Sequence, residues 1–237
     1  RISHTDSAHR YKSLGVDVYI GQARFSGQDT VQVEGPAGNR TLSFVKAAIC
    51  TGARASAPAT PGLEEAGYLT NETVFSLTEL PARVGVIGAG PIGCELAQAF
   101  ARFGSQVYLI EAMHGIMPNE DRDAADIVHQ SMVRDGVTLL CCGKDLTVTK
   151  TAGGKGLAVN SHGQQYDVAV DEILVGVGRT PNVHGLGLDV VGVEYDKTGV
   201  KVNDRLQTTN PRIYAAGDIC SRYKFTHAAD AMAQIVI

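Results

Sequence analysis

Residues 84–93 read Val84-Gly85-Val86-Ile87-Gly88-Ala89-Gly90-Pro91-Ile92-Gly93, an apolar run that enters a turn with glycine at its first, third and sixth positions. Such a run is a strand buried on both faces, and Pro91 suits the first position of a following helix. In that helix Ile92, Leu96, Phe100 and Phe103 recur at helical spacing, which predicts one apolar stripe against a sheet, and Gly104-Ser105 ends it. Val107-Tyr108-Leu109-Ile110 is a second buried strand. A helix from Asp121 to Asp135 follows, with Ala124, Ile127 or Val128, and Met132 inward and Gly136 as its stop. The strand through Leu140 completes a βαβαβ unit.

Three polar-alternating runs come next, Leu146 to Thr149, Leu157 to Asn160 and Tyr166 to Val170, separated by Gly153-Gly154 and His162-Gly163. They predict an antiparallel meander feeding a last buried strand, Ile173-Leu174-Val175. The same ending occurs earlier: short strands at Val16 to Ile20, Val31 to Val33 and Leu42 to Phe44 lead to Ala47-Ala48-Ile49-Cys50 and Thr51-Gly52. Too few residues precede that first meander for the roughly 30 of a βαβ unit. After a hairpin region (Val193-Glu194-Tyr195 and Val200-Lys201-Val202), Ile213-Tyr214-Ala215-Ala216-Gly217-Asp218 is another apolar strand, assigned to the first sheet. The expected architecture is α/β and Rossmann-like, a parallel sheet with an antiparallel three-stranded meander over residues 62–182. It is inserted in a split, incomplete domain made of residues 1–61 and 183–237.

The turn has the chemistry of a pyrophosphate cradle. Gly88 permits the sharp turn, Gly90 lets backbone approach the phosphates, and Gly93 lets helix pack on strand, while Ala89, Pro91 and Ile92 carry the chain to the anion-favouring helix N-terminus. Glu111, at the end of the second strand, can accept hydrogen bonds from both hydroxyls of an adenosine ribose and would repel a 2′-phosphate. Ala112-Met113-His114-Gly115 offers no arginine to bind that phosphate, so NAD(H) is expected rather than NADP(H). Glu95 is near enough to the turn to lean toward the nicotinamide end, and is equally an ordinary exposed acid favoured by the helix dipole. Asp218 puts a carboxylate at the carboxyl end of a strand, where α/β sheets bind ligands, or caps the next segment.

Charge narrows the partners. With 21 basic against 25 acidic residues, the chain gathers no positive field for nucleic acid or anionic lipid. No apolar run is long enough to span a bilayer, and RISHTDSAHRYKS lacks the core of a secretory signal, so a cytoplasmic protein with small-molecule cofactors is expected. Cys50, Cys94, Cys141, Cys142 and Cys220 show neither a CxxC pair nor zinc-site spacing. Cys141 and Cys142 read as the end of a strand, with side chains on opposite faces, and no metal site is expected.

These motifs together resemble the FAD-dependent pyridine nucleotide-disulfide oxidoreductases, across essentially the whole chain. Ile49-Cys50-Thr51-Gly52 is similar to the family's strand-end segment against FAD, and Gly88 to Gly93 with Glu95 to its NAD(P)H turn. Gly178-Arg179-Thr180-Pro181-Asn182 resembles the hallmark that follows the NAD domain. Thr209 to Asp218 resembles the second FAD motif, whose aspartate binds the ribityl chain. Cys220 to Asp230 is similar to the mercuric-reductase-like branch. The resemblance implies NAD(H) at Gly88, Ala89, Gly90, Pro91, Ile92, Gly93, Glu95, Glu111 and Gly178. It implies FAD in the intact protein at Thr51, Gly52, Asp218, Lys224, Phe225, Thr226 and His227, the last being open between a structural and a catalytic role.

The family's first glycine motif, its redox-active cysteine pair upstream of Cys50 and its dimer-forming domain have no counterpart here. The expectation is therefore a central fragment of a homodimeric enzyme passing hydride from NADH to FAD and on to a disulfide, metal ion or other acceptor. The fragment would carry no catalytic residue and be inactive alone. Two alternatives stand beside it: a flavin oxidoreductase without an active disulfide, and a non-catalytic nucleotide-binding or redox-sensing module.

Overall fold

The computed structural model describes residues 7–237, which form two compact units: the chain up to Arg54 together with Thr180–Ile237, and the continuous segment Ala55–Arg179. The first unit opens with helix α1 (Ala8–Ser13), capped by Ser7, whose Oγ accepts from Arg10 N–H at 3.2 Å. Strands β1 (Gln22–Gly27), β2 (Thr30–Gly35) and β3 (Gly38–Ser43) then pair antiparallel in that order. The first strand therefore begins after the expected Val16–Ile20 run. Val16 and Ile20 are exposed whereas Phe25 is buried, because the tight turn between Gly27 and Thr30 fixes the register and puts Phe25 rather than the earlier apolar residues on the covered face. Strands β4 (Ala47–Ile49) and β5 (Ala53–Ala55) follow.

The second unit contains α2 (Leu63–Ala66), β6 (Arg83–Ile87), α3 (Pro91–Phe103), β7 (Gln106–Ile110), α4 (Arg122–Arg134) and β8 (Val137–Leu140). The meander β9 (Lys144–Thr151), β10 (Gly154–Ser161) and β11 (Gln164–Val170) precedes β12 (Glu172–Val175). Strands β12, β6, β7 and β8 form one parallel sheet in that order, and β11-β10-β9 form an antiparallel sheet. Side-chain alternation divides the core. Val84, Val86, Val107, Leu109 and Leu174 pack with α3 and α4 residues such as Ala97 and Met132, whereas Ile87, Ile110, Ile173 and Val175 pack with Val148, Leu157 and Val170 of the meander.

Each helix turns the expected face inward in part: Leu96, Phe100, Val128 and Met132 pack inward, whereas Phe103 and Ala124 do not. On α3 the buried residues are Gly93, Cys94 and Ala97, with Leu96 and Phe100 partly buried and Phe103 71% exposed. Small side chains let the helix axis approach the sheet, so the tightest contact falls on them rather than on the largest hydrophobics. On α4, Ala125 and Met132 are buried, Val128 packs against them, and Ala124 and Ile127 are exposed. Cys141 and Cys142 are not strand residues: β8 stops at Leu140, and Cys142 has φ +54, which breaks the alternation that would separate the two sulfurs.

The chain returns to the first unit through β13 (Arg179–Pro181), which pairs with β5. Strands β14 (Tyr195–Asp196) and β15 (Gly199–Val200) form the hairpin expected around residues 193–202. Strand β16 (Ile213–Ala215) lies parallel to β4, which places it in the first unit's sheet as its apolar run predicts, and α5 (Thr226–Val236) ends the chain. The core here gathers Phe25, Ile49, Leu188, Val200, Ile213 and Ile219. Among the described residues, no helix is long and apolar enough to cross a membrane.

Candidate functional site

From β6 the sheet grows through α3 and α4 to β7 and β8 on one side, while β12 lies on the other. The direction of winding thus reverses between β6 and β12, and open α/β sheets bind ligands outside the carboxyl ends of strands at such a reversal. Gly88 follows β6 at this point and Gly176 follows β12. Gly88 has φ +99, and a methyl group there would stand 2.7 Å from the Gly176 carbonyl oxygen. A methyl on Gly93 would stand 1.9 Å from the Gly88 carbonyl oxygen. Two of the turn's glycines are therefore required by the protein's own backbone.

Gly90 differs. Its φ is −72°, and an added methyl would meet nothing nearer than the Gly176 carbonyl oxygen at 3.9 Å, so the chain itself does not demand glycine there. It is the N-cap of α3, has no side chain to cap the helix, and is followed by Pro91 at the first position. The helix thus presents its positive end with the space in front of it clear.

Glu111 directly follows β7. Its Oε2 accepts the Ala89 N–H at 2.7 Å and its Oε1 the Met113 N–H at 2.9 Å, so backbone fixes both oxygens. Each retains a second lone pair for an incoming hydroxyl. A cavity of about 550 Å³ lies between this carboxylate and the turn, lined by Gly88, Gly90, Pro91, Ile92, Glu111 and Gly178 among others. Ala89 and Gly93 are buried and support the turn without lining the cavity. Glu95 is exposed on α3 and does not line it either. Beside the turn, the buried Cys94 thiol is pushed up to about 12, chiefly by burial and then by the charges of Glu111 and Glu95. It donates to the Ala89 carbonyl and is chemically quiet.

One wall had no sequence signal. Met117, Pro118, Asn119 and Glu120 line the cavity because Met117 N–H donates to the Ala89 carbonyl at 2.7 Å and folds the segment over. Only the punctuation of Gly115 and Pro118 marks the segment as a loop. An arginine does reach this stretch: Arg122 Nη2 donates to the carbonyls of Ile116 and Met117, so its guanidinium serves the loop.

In the first unit, Thr51-Gly52 and Asp218 leave the carboxyl ends of the neighbouring parallel strands β4 and β16. Thr51 Oγ1 donates to the Asn182 carbonyl at 3.1 Å, Asn182 Nδ2 donates back to the Thr51 carbonyl at 2.9 Å, and Gly52 takes φ +64. Lys224 Nζ donates to the carbonyls of Asp218 and Ser221 at 3.0 and 3.1 Å. Phe225 and His227 stack at 5.4 Å at the start of α5, where Thr226 and both rings are exposed. The strands thus bring Thr51, Gly52 and Asp218 to one edge, and Lys224 ties the following segment to Asp218.

A family described as pyridine nucleotide-disulphide oxidoreductase matches residues 5–233. The chain is 33% identical over 219 residues to a mercuric reductase of Staphylococcus aureus, covering 92% of the chain and 39% of that protein. It is 32% identical over 218 residues to a dihydrolipoyl dehydrogenase of Bacillus subtilis (strain 168), covering 92% and 47% respectively. Among solved structures, the HOCl-induced flavoprotein disulfide reductase RclA from Escherichia coli superposes with a TM-score of 0.87 at 29% identity, over 99% of this chain and 54% of that one. The chain spans about half, or less, of the length of these relatives.

Proposed function

The chain belongs to the pyridine nucleotide-disulphide oxidoreductase family, and on that premise we propose that Ala55–Arg179 holds NAD(H) for a flavin-dependent oxidoreductase. The observation that carries this reading is the Glu111 carboxylate, held by the Ala89 and Met113 N–H groups and facing the same cavity as the glycine turn. The diphosphate lies against Gly90 and the first turn of α3, and the ribose hydroxyls donate to Glu111. A 2′-phosphate would bring like charge against that carboxylate. Gly178 lines the cavity as well and completes the set of turn residues around the nucleotide.

In unit one, Thr51-Gly52 and Asp218 suit the flavin side, since backbone groups and a carboxylate at a strand edge can hold a ribityl chain. Lys224, Phe225, Thr226 and His227 extend that surface. Flavin, when bound, accepts hydride and passes electrons to a disulfide, a metal ion or another acceptor. The residues of this chain supply binding and orientation.

Titration calorimetry with NADH and NADPH tests the nucleotide reading. NADH binds more tightly, and Glu111→Gln narrows the preference by roughly 1.5–3 kcal/mol, the range for a hydrogen bond to a charged group. Equal or tighter binding of NADPH by the unaltered chain refutes it. A second outcome concerns flavin. Purified as these 237 residues, the protein is colourless and oxidises NADH no faster than free FAD does, because the described part of the first unit offers Thr51, Gly52 and Asp218 but no strand–glycine turn–helix anion site of its own. Stoichiometric flavin absorbance in the purified protein contradicts this.

A further inference from the structure

Three segments of Ala55–Arg179 converge beside β8: the loop after Glu111, the two residues after Leu140, and the tip of the β10–β11 hairpin. They bring together His114, Cys141, Cys142 and His162, whose ligand atoms all lie within 4.8 Å of one another. We propose that these four side chains form a tetrahedral binding site for a zinc-class divalent ion. None of the four lines the nucleotide cavity, and the site stands independently of that reading.

The geometry fits the donor set. With zinc–sulfur bonds of about 2.3 Å and zinc–nitrogen bonds of about 2.0–2.1 Å, the edges of an S2N2 tetrahedron measure roughly 3.3–3.8 Å. Cys141 Sγ lies 3.2 Å from His162 Nε2, and Cys142 Sγ lies 3.4 Å from His114 Nδ1. Both are sulfur–nitrogen pairs a little shorter than the roughly 3.5 Å edge of the tetrahedron, and the widest separation needs to close by about 1–1.5 Å to reach the tetrahedral range. Two thiolates with two imidazoles select a borderline-soft tetrahedral ion over calcium or magnesium, which take oxygen ligands.

The scaffold holds the cluster through bonds that do not involve its ligand atoms. Cys142 N–H donates to the Met113 carbonyl at 2.9 Å and Gly143 N–H to the Glu111 carbonyl at 2.8 Å, which ties the His114 loop to the cysteine segment. Ser161 Oγ donates to the Cys141 carbonyl at 2.6 Å, which ties the hairpin tip to the same segment. The left-handed backbone at Cys142 lets adjacent cysteines serve one centre. His162 and Gly163, with φ +51 and +80, form the two-residue loop between β10 and β11, a place where Asn-Gly is the usual pair. A histidine there accepts an uncommon backbone conformation and delivers an imidazole to the two sulfurs.

The test uses the full chain, untagged, reduced and stripped of metal. With zinc added, one ion per chain is retained, and X-ray absorption shows two sulfur neighbours near about 2.3 Å and two nitrogens near about 2.0 Å. Cobalt(II) in its place gives the intense ligand-field bands of a tetrahedral centre with thiolate charge transfer. Cys142→Ser and His162→Asn each weaken zinc binding by more than about a hundredfold, the upper end of what losing even a supporting contact costs. His162→Asn keeps the turn in its favoured Asn-Gly form, so its effect is not one of misfolding. Two S–H···N hydrogen bonds would account for the same distances without a metal. Failure of the reduced chain to retain zinc stoichiometrically, an octahedral cobalt spectrum, or retention indifferent to both substitutions overturns the proposal.

Discussion

At the scale of single residues, the three glycines of the turn are glycine for different reasons, and this separates folding from binding. A side chain on Gly93 would have to push into the Gly88 carbonyl, whereas one on Gly90 has open space. Gly93→Ala lowers stability by about 1–3 kcal/mol, as overpacking does, and shifts the urea midpoint. Gly90→Val leaves the midpoint nearly unchanged yet weakens NADH binding by roughly a hundredfold, since it fills the phosphate space and forfeits charge-assisted hydrogen bonds of about 1.5–3 kcal/mol. A folded Gly90→Val protein with normal NADH affinity would show that the phosphates lie elsewhere. The structural roles of Gly88 and Gly93 were legible in the sequence because a sharp turn and a close helix–strand approach each demand a residue without Cβ. Glu111 was legible because strand ends are easily located. The cavity wall from Met117 to Glu120 was not, since a single backbone hydrogen bond to Ala89 places it and no side-chain pattern encodes such a bond.

At the scale of elements, the second unit's sheet is clamped between helices and meander, and Leu157 is central to the meander side. It is buried, and its Cδ1 occupies the space that a side chain on Gly85 would take, at 2.4 Å from the position of the missing Cβ. Leu157→Ala costs about 2–5 kcal/mol by denaturant unfolding, because the surrounding strands cannot collapse into the gap. The start of β6 is tied to β12 by Asp171, whose carboxylate accepts from the Arg83 N–H at 2.8 Å and from its guanidinium at 2.5 Å. The Arg83 hydrogen bond holds this carboxyl below the usual range. A lowered folded value means that the contribution is complete above the unfolded pKa of about 3.9 and disappears as pH falls through the lower folded value. Asp171→Asn therefore lowers Tm at neutral pH, and the gap to the unaltered protein closes under acid. A gap that persists unchanged in acid argues against the ion pair. The second unit's βαβαβ run, meander and last strand followed from periodicity, as did the inward packing of Leu96, Phe100, Val128 and Met132, whereas the expected strand at residues 16–20 did not form. Helical spacing counts Phe103 and Ala124 into the inward stripes, but the buried residues of α3 are Gly93, Cys94 and Ala97, and on α4 Ala125 joins Met132 inside. The strand reading of Cys141-Cys142 failed on one left-handed residue, which no alternation pattern announces.

At the scale of the molecule, Ala55–Arg179 is one continuous stretch carrying its own sheet, helices, meander and cavity. Expressed alone, it unfolds in a single cooperative transition and retains NADH binding within about threefold, or roughly 0.7 kcal/mol, of the full chain. Loss of cooperative unfolding would show that its stability depends on the other unit.

The pairing of β5 with β13 has a kinetic consequence. The two strands mark where the chain leaves the first unit and where it comes back, and they sit hydrogen-bonded side by side. Without structure in between, bringing Ala47–Ile49 against Ile213–Ala215 would mean closing a floppy loop of well over a hundred residues, an entropic cost of about 4 kcal/mol or more. Once Ala55–Arg179 has folded, its ends are already adjacent and that cost falls to the closure of two short tails. The expected order of assembly is therefore the continuous segment first and the divided one second, an order checked by stopped-flow refolding kinetics. A core lesion such as Met132→Ala delays both stages, whereas one at Ile213 delays only the later stage.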